Sequence, residues 1–179
     1  MPGRYRIVEA DTPALRRLPW EKMEAEGLAQ AVLWNRCEPT ILDWLELVSP
    51  RTTLTGLGYD EDRDGALMGA LWLLPMGVSA TVHFVVFRDW WQEQIPIGRA
   101  AVRWIFARWP FKSLLATYPT PYHHLHRFMD GLGFSRWTNV VPGACHMPTR
   151  RHPDRCADLA FASLTREDFM KEQTKWAES

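Results

Sequence analysis

The sequence predicts a single α/β domain over residues 1–179, built on a mixed, mostly antiparallel central sheet flanked by helices. Three observations predict it. Apolar residues recur at three and four over residues 20–36 and 39–48, and from Thr52 the period changes to a β-branched, glycine-punctuated run. Strand-like runs separated by turn residues follow one another between residues 52 and 87. Beyond them, helix and strand patterns take turns as far as residue 141, which suits a crossover helix after the strongest strand.

Taken in order, residues 4 to 9 alternate weakly and read as a short first strand. Asp11-Thr12-Pro13 then caps a helical region, with proline at the first helical position. Residues 20–36 and 39–48 (Ile41, Trp44, Leu45, Val48) read as two amphipathic helices that stop near Ser49-Pro50. Thr52–Tyr59 and Ala66–Met76 are two antiparallel strands joined by the charged turn 60–65. Ala80–Phe87 is the strongest strand, rich in β-branched and aromatic residues, and belongs in the middle of the sheet. A polar and aromatic loop leads to Pro96 and a helix over 97–109, closed by Pro110. Leu114–Tyr118 is a short buried strand, and Pro119-Thr120-Pro121 breaks it. Tyr122–Asp130 is a helix with Leu125, Phe128 and Met129 on one face, ended by Gly131-Leu132-Gly133, and Phe134–Val141 returns as a strand. Thr165-Arg-Glu-Asp168 reads as a capping box opening a polar terminal helix. Residues 1–50 thus form a strand plus helices, 51–141 the sheet core, and 142–179 a tail and helix.

Composition narrows the partners. The 21 basic residues balance the 21 acidic ones, which gives no reason to expect nucleic acid. No apolar run approaches a membrane span and no secretory leader is evident, so a cytoplasmic protein is expected. Cys37, Cys145 and Cys156 are odd in number and widely spaced, which suits a reducing compartment. Cys145, His146, His152 and Cys156 could ligate zinc, but their spacing matches no usual motif, so no metal is expected. Ten tryptophans are the unusual feature, and such rings fill cores, line clefts or mark interfaces.

The stretch from Leu114 through Tyr118, Tyr122 and Phe128 to Gly133-Phe134 resembles the fifth strand, fourth helix and closing Gly-Phe of the GNAT superfamily of N-acetyltransferases. The Val82-His83-Phe84 strand and the arginine-bearing helix upstream extend the resemblance over nearly the whole chain, and it looks closest to divergent phage and prophage members. The resemblance implies an acyl-CoA N-acyltransferase fold with acetyl-CoA, or another acyl-CoA, as substrate. The thioester would lie near Val86 and Phe87, and the phosphates at the turn Gln94–Ala100, including Ile97, Gly98 and Arg99. A helix N-terminus suits that role because its first N–H groups are unpaired and its dipole favours anions. Arg99, a cation beside the positive end of that dipole, makes sense next to an anion and otherwise belongs to a solvated stripe with Arg103. Of the superfamily's glycine-rich loop only Gly98-Arg99-Ala100 remains; Ile95 stands where a basic or amide residue is usual, and Pro96 offers no N–H.

Acetylating an amine needs a base for its proton, a stabilised oxyanion and an acid for the departing thiolate. His83 is the candidate base, since an unperturbed imidazole titrates near 6.5, and the alternative is a satisfied core histidine. Met129 holds the position where the superfamily often has its acidic tyrosine. Tyr118 and Tyr122 are the substitutes, and each also suits a packing role. The acceptor is a small amine or a protein or peptide amine, and a homodimer or a phage-protein partner stays open. The second reading is a noncatalytic binding or assembly protein of the same fold, of phage or prophage origin. It predicts that Trp90, Trp91 and Trp109 form one exposed surface.

Overall fold

The computed structural model describes residues 4–178. One sheet in the order β1-β2-β3-β4-β5-β8-β6, with β7 paired to β8, runs through the protein. It comprises β1 (Tyr5–Glu9), β2 (Leu54–Asp60), β3 (Ala66–Met76), β4 (Ser79–Val86), β5 (Ser113–Pro119), β6 (Ser135–Arg136), β7 (Val141–His146) and β8 (Cys156–Thr165). Every pairing is antiparallel except β4 with β5.

The helices divide between the two faces, and strand alternation dictates how. On one face Leu71, Leu73, Val82, Leu114, Ala116 and Tyr118 share a core with α4 (Gln94–Arg108), α5 (His124–Gly131) and α6 (Arg166–Glu178). On the other, Met68, Ala70, Trp72 and Val85 pack with α1 (Pro13–Ala25), α2 (Ala29–Val32) and α3 (Ile41–Leu47). Successive residues of β3 and β4 therefore serve opposite cores, as the two-residue period of a strand requires.

Local chemistry sets the helix ends. The Thr12 hydroxyl accepts the Leu15 N–H at 3.2 Å with Pro13 at the first helical position, and Thr40 and Asp43 form a reciprocal capping box at α3. α1 starts at Pro13, where the cap was expected, but the continuous helix read over 20–36 is corrected: Gly27, at φ +67, turns the chain so that 29–32 is a separate single turn. Arg16 on α1 is buried; its guanidinium donates to Val48 O and to Thr55 Oγ1, and its carbonyl accepts the Trp44 indole N–H at 2.7 Å. One side chain and its own carbonyl thus join α1, α3 and β2.

The C-terminal third departs most from the predicted pattern. The strand expected over 134–141 shrinks to Ser135–Arg136, and the region read as a tail supplies β7 and the ten-residue β8. β8 runs beside β5 through seven residue pairs. Its inward positions include Ala160 and Ala162, small residues whose alternation is faint until a partner strand gives them a face. At the start of α6 the predicted cap forms through the Thr165 side chain, whose hydroxyl donates to Asp168 and accepts its N–H. Arg166 then donates to the carbonyls of Phe106, Trp109 and Phe111, fastening α6 to the end of α4.

Candidate active site

The parallel pair β4–β5 is the feature that makes a site. The strands are paired at three positions only, Ser79 with Ser113, Ala80 with Leu114 and Thr81 with Leu115. β4 then continues on β3 as far as Val86, and β5 on β8 as far as Pro119. Beyond Thr81 and Leu115 the two strands therefore splay and leave facing edges without a ladder partner. A cleft of about 480 Å³ fills the gap. Backbone N–H and C=O groups on such edges need partners, and an extended ligand carrying amides is the natural one.

Alternation sends chemistry to both sides of this gap. His83 lies on the face of α1–α3, stacked beside Trp72 with ring centres 5.3 Å apart and planes nearly parallel. Tyr118 lies on the α4–α5 face, buried against that core, with His126 5.7 Å from its ring. Tyr122 lines the same cleft from the turn before α5. The three predicted catalytic residues are thus brought to one cavity, with His83 and Tyr118 reaching it from opposite faces of the sheet. Burial pulls the His83 imidazole down to about 4 and pushes both tyrosines above their ordinary value. At neutral pH His83 is unprotonated and weakly basic, which corrects the value near 6.5 inferred from an unperturbed imidazole. Both tyrosines are protonated and able to donate.

The residues expected at the cofactor fare unequally. Val86 and Gln94 line the cleft. Phe87 is fully buried in the α1–α3 core, pointing away from the cavity that Val86 faces. Ile97 is buried as well, and Arg99 and Ala100 are outside the cleft lining. Gly98 faces α5: a Cβ there would lie 2.7 Å from Leu132 Cδ2 and 2.9 Å from Phe128 Cε2, so this glycine permits helix packing. Arg99 is engaged too, donating to Gly131 O at 3.0 Å and lying 4.7 Å from the Trp176 ring centre. The Arg99 guanidinium thus already has a carbonyl and a π face beside it.

At the start of α4 the capping residue Glu93 accepts the Tyr5 hydroxyl at 2.7 Å and contacts Arg4 and Arg63 at 2.6 and 3.2 Å, which together hold its carboxyl below its usual range. The edges of β4 and β5 fit the amide-bearing arm of an acyl-CoA. The helix start, with Glu93 and Pro96, is a poorer phosphate cradle than the superfamily pattern implies.

Several cleft residues escaped the sequence reading. Leu28, Val32 and Trp34 come from the α1–α2 turn and its sequel, Trp72 from β3, Trp91 from the turn before α4, and Thr117 and His124 from the two ends of the β5–α5 connection. Only Trp72 carried a signal, an aromatic at an alternating strand position. Trp90 is buried with its indole bonded to Asp60 at 3.1 Å, and Trp109 packs edge-on to Trp104, so Trp90, Trp91 and Trp109 do not form one exposed surface. Cys145 is buried and Cys156 exposed. Among the described residues no three His, Cys, Asp or Glu side chains gather as a metal site, and no helix is long and apolar enough to cross a membrane.

No family model and no curated protein matches this sequence. Its fold, a mixed α/β sheet flanked by helices, is that of the GNAT acetyltransferases. The chain is similar to spermidine N-acetyltransferase from Vibrio cholerae, solved in complex with CoA and spermine, with TM-score 0.73 and 8% identity over 93% of this chain and 98% of that one. It is also similar to the ribosomal-protein-S5-alanine acetyltransferase from Vibrio fischeri, with TM-score 0.67 and 10% identity over 94% and 97% of the two chains.

Proposed function

We propose that the protein is an N-acetyltransferase that uses acetyl-CoA, with the acyl arm in the β4–β5 gap. The observation that carries this is the splayed parallel pair, whose free edges and opposed His83 and Tyr118 suit transfer from one side of a sheet to the other. The fold's likeness to acetyltransferases, one of them solved with CoA, supports it.

Acetyl-CoA, when bound, supplies an acyl group activated as a thioester. The free edges of β4 and β5 would hold its amides, and Gln94 and His124 at the cavity, with His123 and Arg127 on the same helical stretch, would stand toward its phosphates. N–H groups on the free edge of β4 are donors for the thioester oxygen. The amine attacks from the α1–α3 side. Its nitrogen becomes strongly acidic once its lone pair is committed to the new C–N bond, so a weak base such as His83 suffices to take the proton. Tyr118 on the opposite face gives its proton to the departing sulfur, with Tyr122 the second candidate.

Calorimetric titration with acetyl-CoA tests the reading. Binding by the wild type, weakened about ten-fold in Gln94→Glu, where a new negative charge meets the phosphates, is the expected result. Tyr118→Phe is expected to keep that affinity and to lose about a hundred-fold in kcat. An absence of binding at millimolar acetyl-CoA would overturn the proposal and favour the noncatalytic reading. Gly98→Asp is a poorer probe, because its side chain meets Leu132 and Phe128 before any ligand.

A further inference from the structure

The acceptor side of the cleft is chemically distinctive. Leu28, Ala31, Val32, Trp34, Trp72 and Trp91 line it, and no Asp, Glu, Lys or Arg is among the described residues lining the cavity. Acids that flank this wall in sequence are engaged elsewhere: Glu93 holds Tyr5, Arg4 and Arg63, and Asp89 lies 3.9 Å from Lys22. Glu26 holds Lys22 and the Arg88 backbone, Glu38 holds Arg150, and Asp43 holds Arg36 and caps α3.

From this geometry we infer that the acceptor is a monoamine on an apolar, ring-bearing body that enters as its free base, and not a polyamine. The inference rests on the acetyltransferase reading and narrows its substrate. A polyamine carries a charge on each nitrogen at neutral pH, and each ammonium placed in an apolar site without a carboxylate costs several kcal/mol. A single amine beside such walls is displaced toward its neutral form by the same desolvation, and the neutral form is the nucleophile. Aromatic rings on its body gain area and edge or face contacts against Trp34 and Trp91.

The test compares 2-phenylethylamine with spermidine, by thiol release from acetyl-CoA and, separately, by direct binding read from tryptophan fluorescence. Phenylethylamine is expected to exceed spermidine by about ten-fold or more in kcat/KM and in affinity. Val32→Asp, or Ala31→Asp should that variant fail to fold, is expected to shrink or reverse the ratio by supplying the missing carboxylate. Tighter binding of spermidine by the wild type, or a ratio indifferent to both aspartates, would overturn the inference whatever the turnover. Phenylethylamine binding without acetyl-CoA binding would instead sink the acetyltransferase reading and leave the amine pocket standing.

Discussion

At the residue scale, His83 shows how position remakes a side chain. Its imidazole faces a cleft and lies along the Trp72 ring, and burial lowers its titration to about 4. An unfolded histidine takes its proton near 6.5, so between those values the unfolded chain binds more protons than the folded one. His83 therefore subtracts stability as pH falls through that window. The expected penalty reaches about 3 kcal/mol at its lower end, seen as a steeper fall in urea-unfolding stability for the wild type than for His83→Gln. Equal slopes for the two proteins would show that His83 titrates normally. Asp60 shifts in the same direction for a different reason: buried and bonded by Arg4 and the Trp90 indole, it is held at about 2. The stability it lends is present above the ordinary carboxylate range and is lost as pH falls toward that value.

At the scale of elements, the α4–α5 contact decides what Gly98 is for. The helices approach so closely that any Cβ at this position meets Leu132 and Phe128, both buried. Gly98→Ala is expected to destabilise by roughly 1–3 kcal/mol, the usual cost of overpacking, outweighing the gain in helix propensity. Urea unfolding measures it, and a stabilised variant would mean that α5 moves aside freely. Gly69 is tighter still, since a Cβ there would lie 2.5 Å from the Val85 carbonyl oxygen, a backbone atom that no rotamer can withdraw. The closeness of β3 and β4 at this point holds the end of β4 in line, along the stretch where it no longer pairs with β5.

At the scale of the whole molecule, the sheet is two well-paired blocks, β1–β4 and β5–β8, that meet through three residue pairs. Amides on the free edges within 82–86 and 116–119 are expected to exchange hydrogen faster than those at 79–81. Saturating acetyl-CoA is expected to slow the first group while leaving β2 unchanged, because a ligand protects what it pairs with. Mass-spectrometric hydrogen exchange reads both, and protection spread evenly over the sheet would argue that the ligand lies elsewhere.

The sequence by itself determined the element order from β1 to α5, the cap of the terminal helix, the strand that carries His83 and the α/β class. Those features rest on local periodicity and on hydrogen bonds between near neighbours, which are written in consecutive residues. It also nominated His83, Tyr118 and Tyr122, because the resemblance tied them to a strand end and a helix start. Only the tertiary structure decided that β8 lies beside β5, that Gly98 and Arg99 serve α5, and that Trp90 turns inward. It alone joined Trp34, Trp72 and Trp91 into one carboxylate-free wall. Each of these depends on contacts between residues far apart in the chain, and a glycine or a tryptophan reads the same in sequence whether it faces a phosphate, a helix or a substrate.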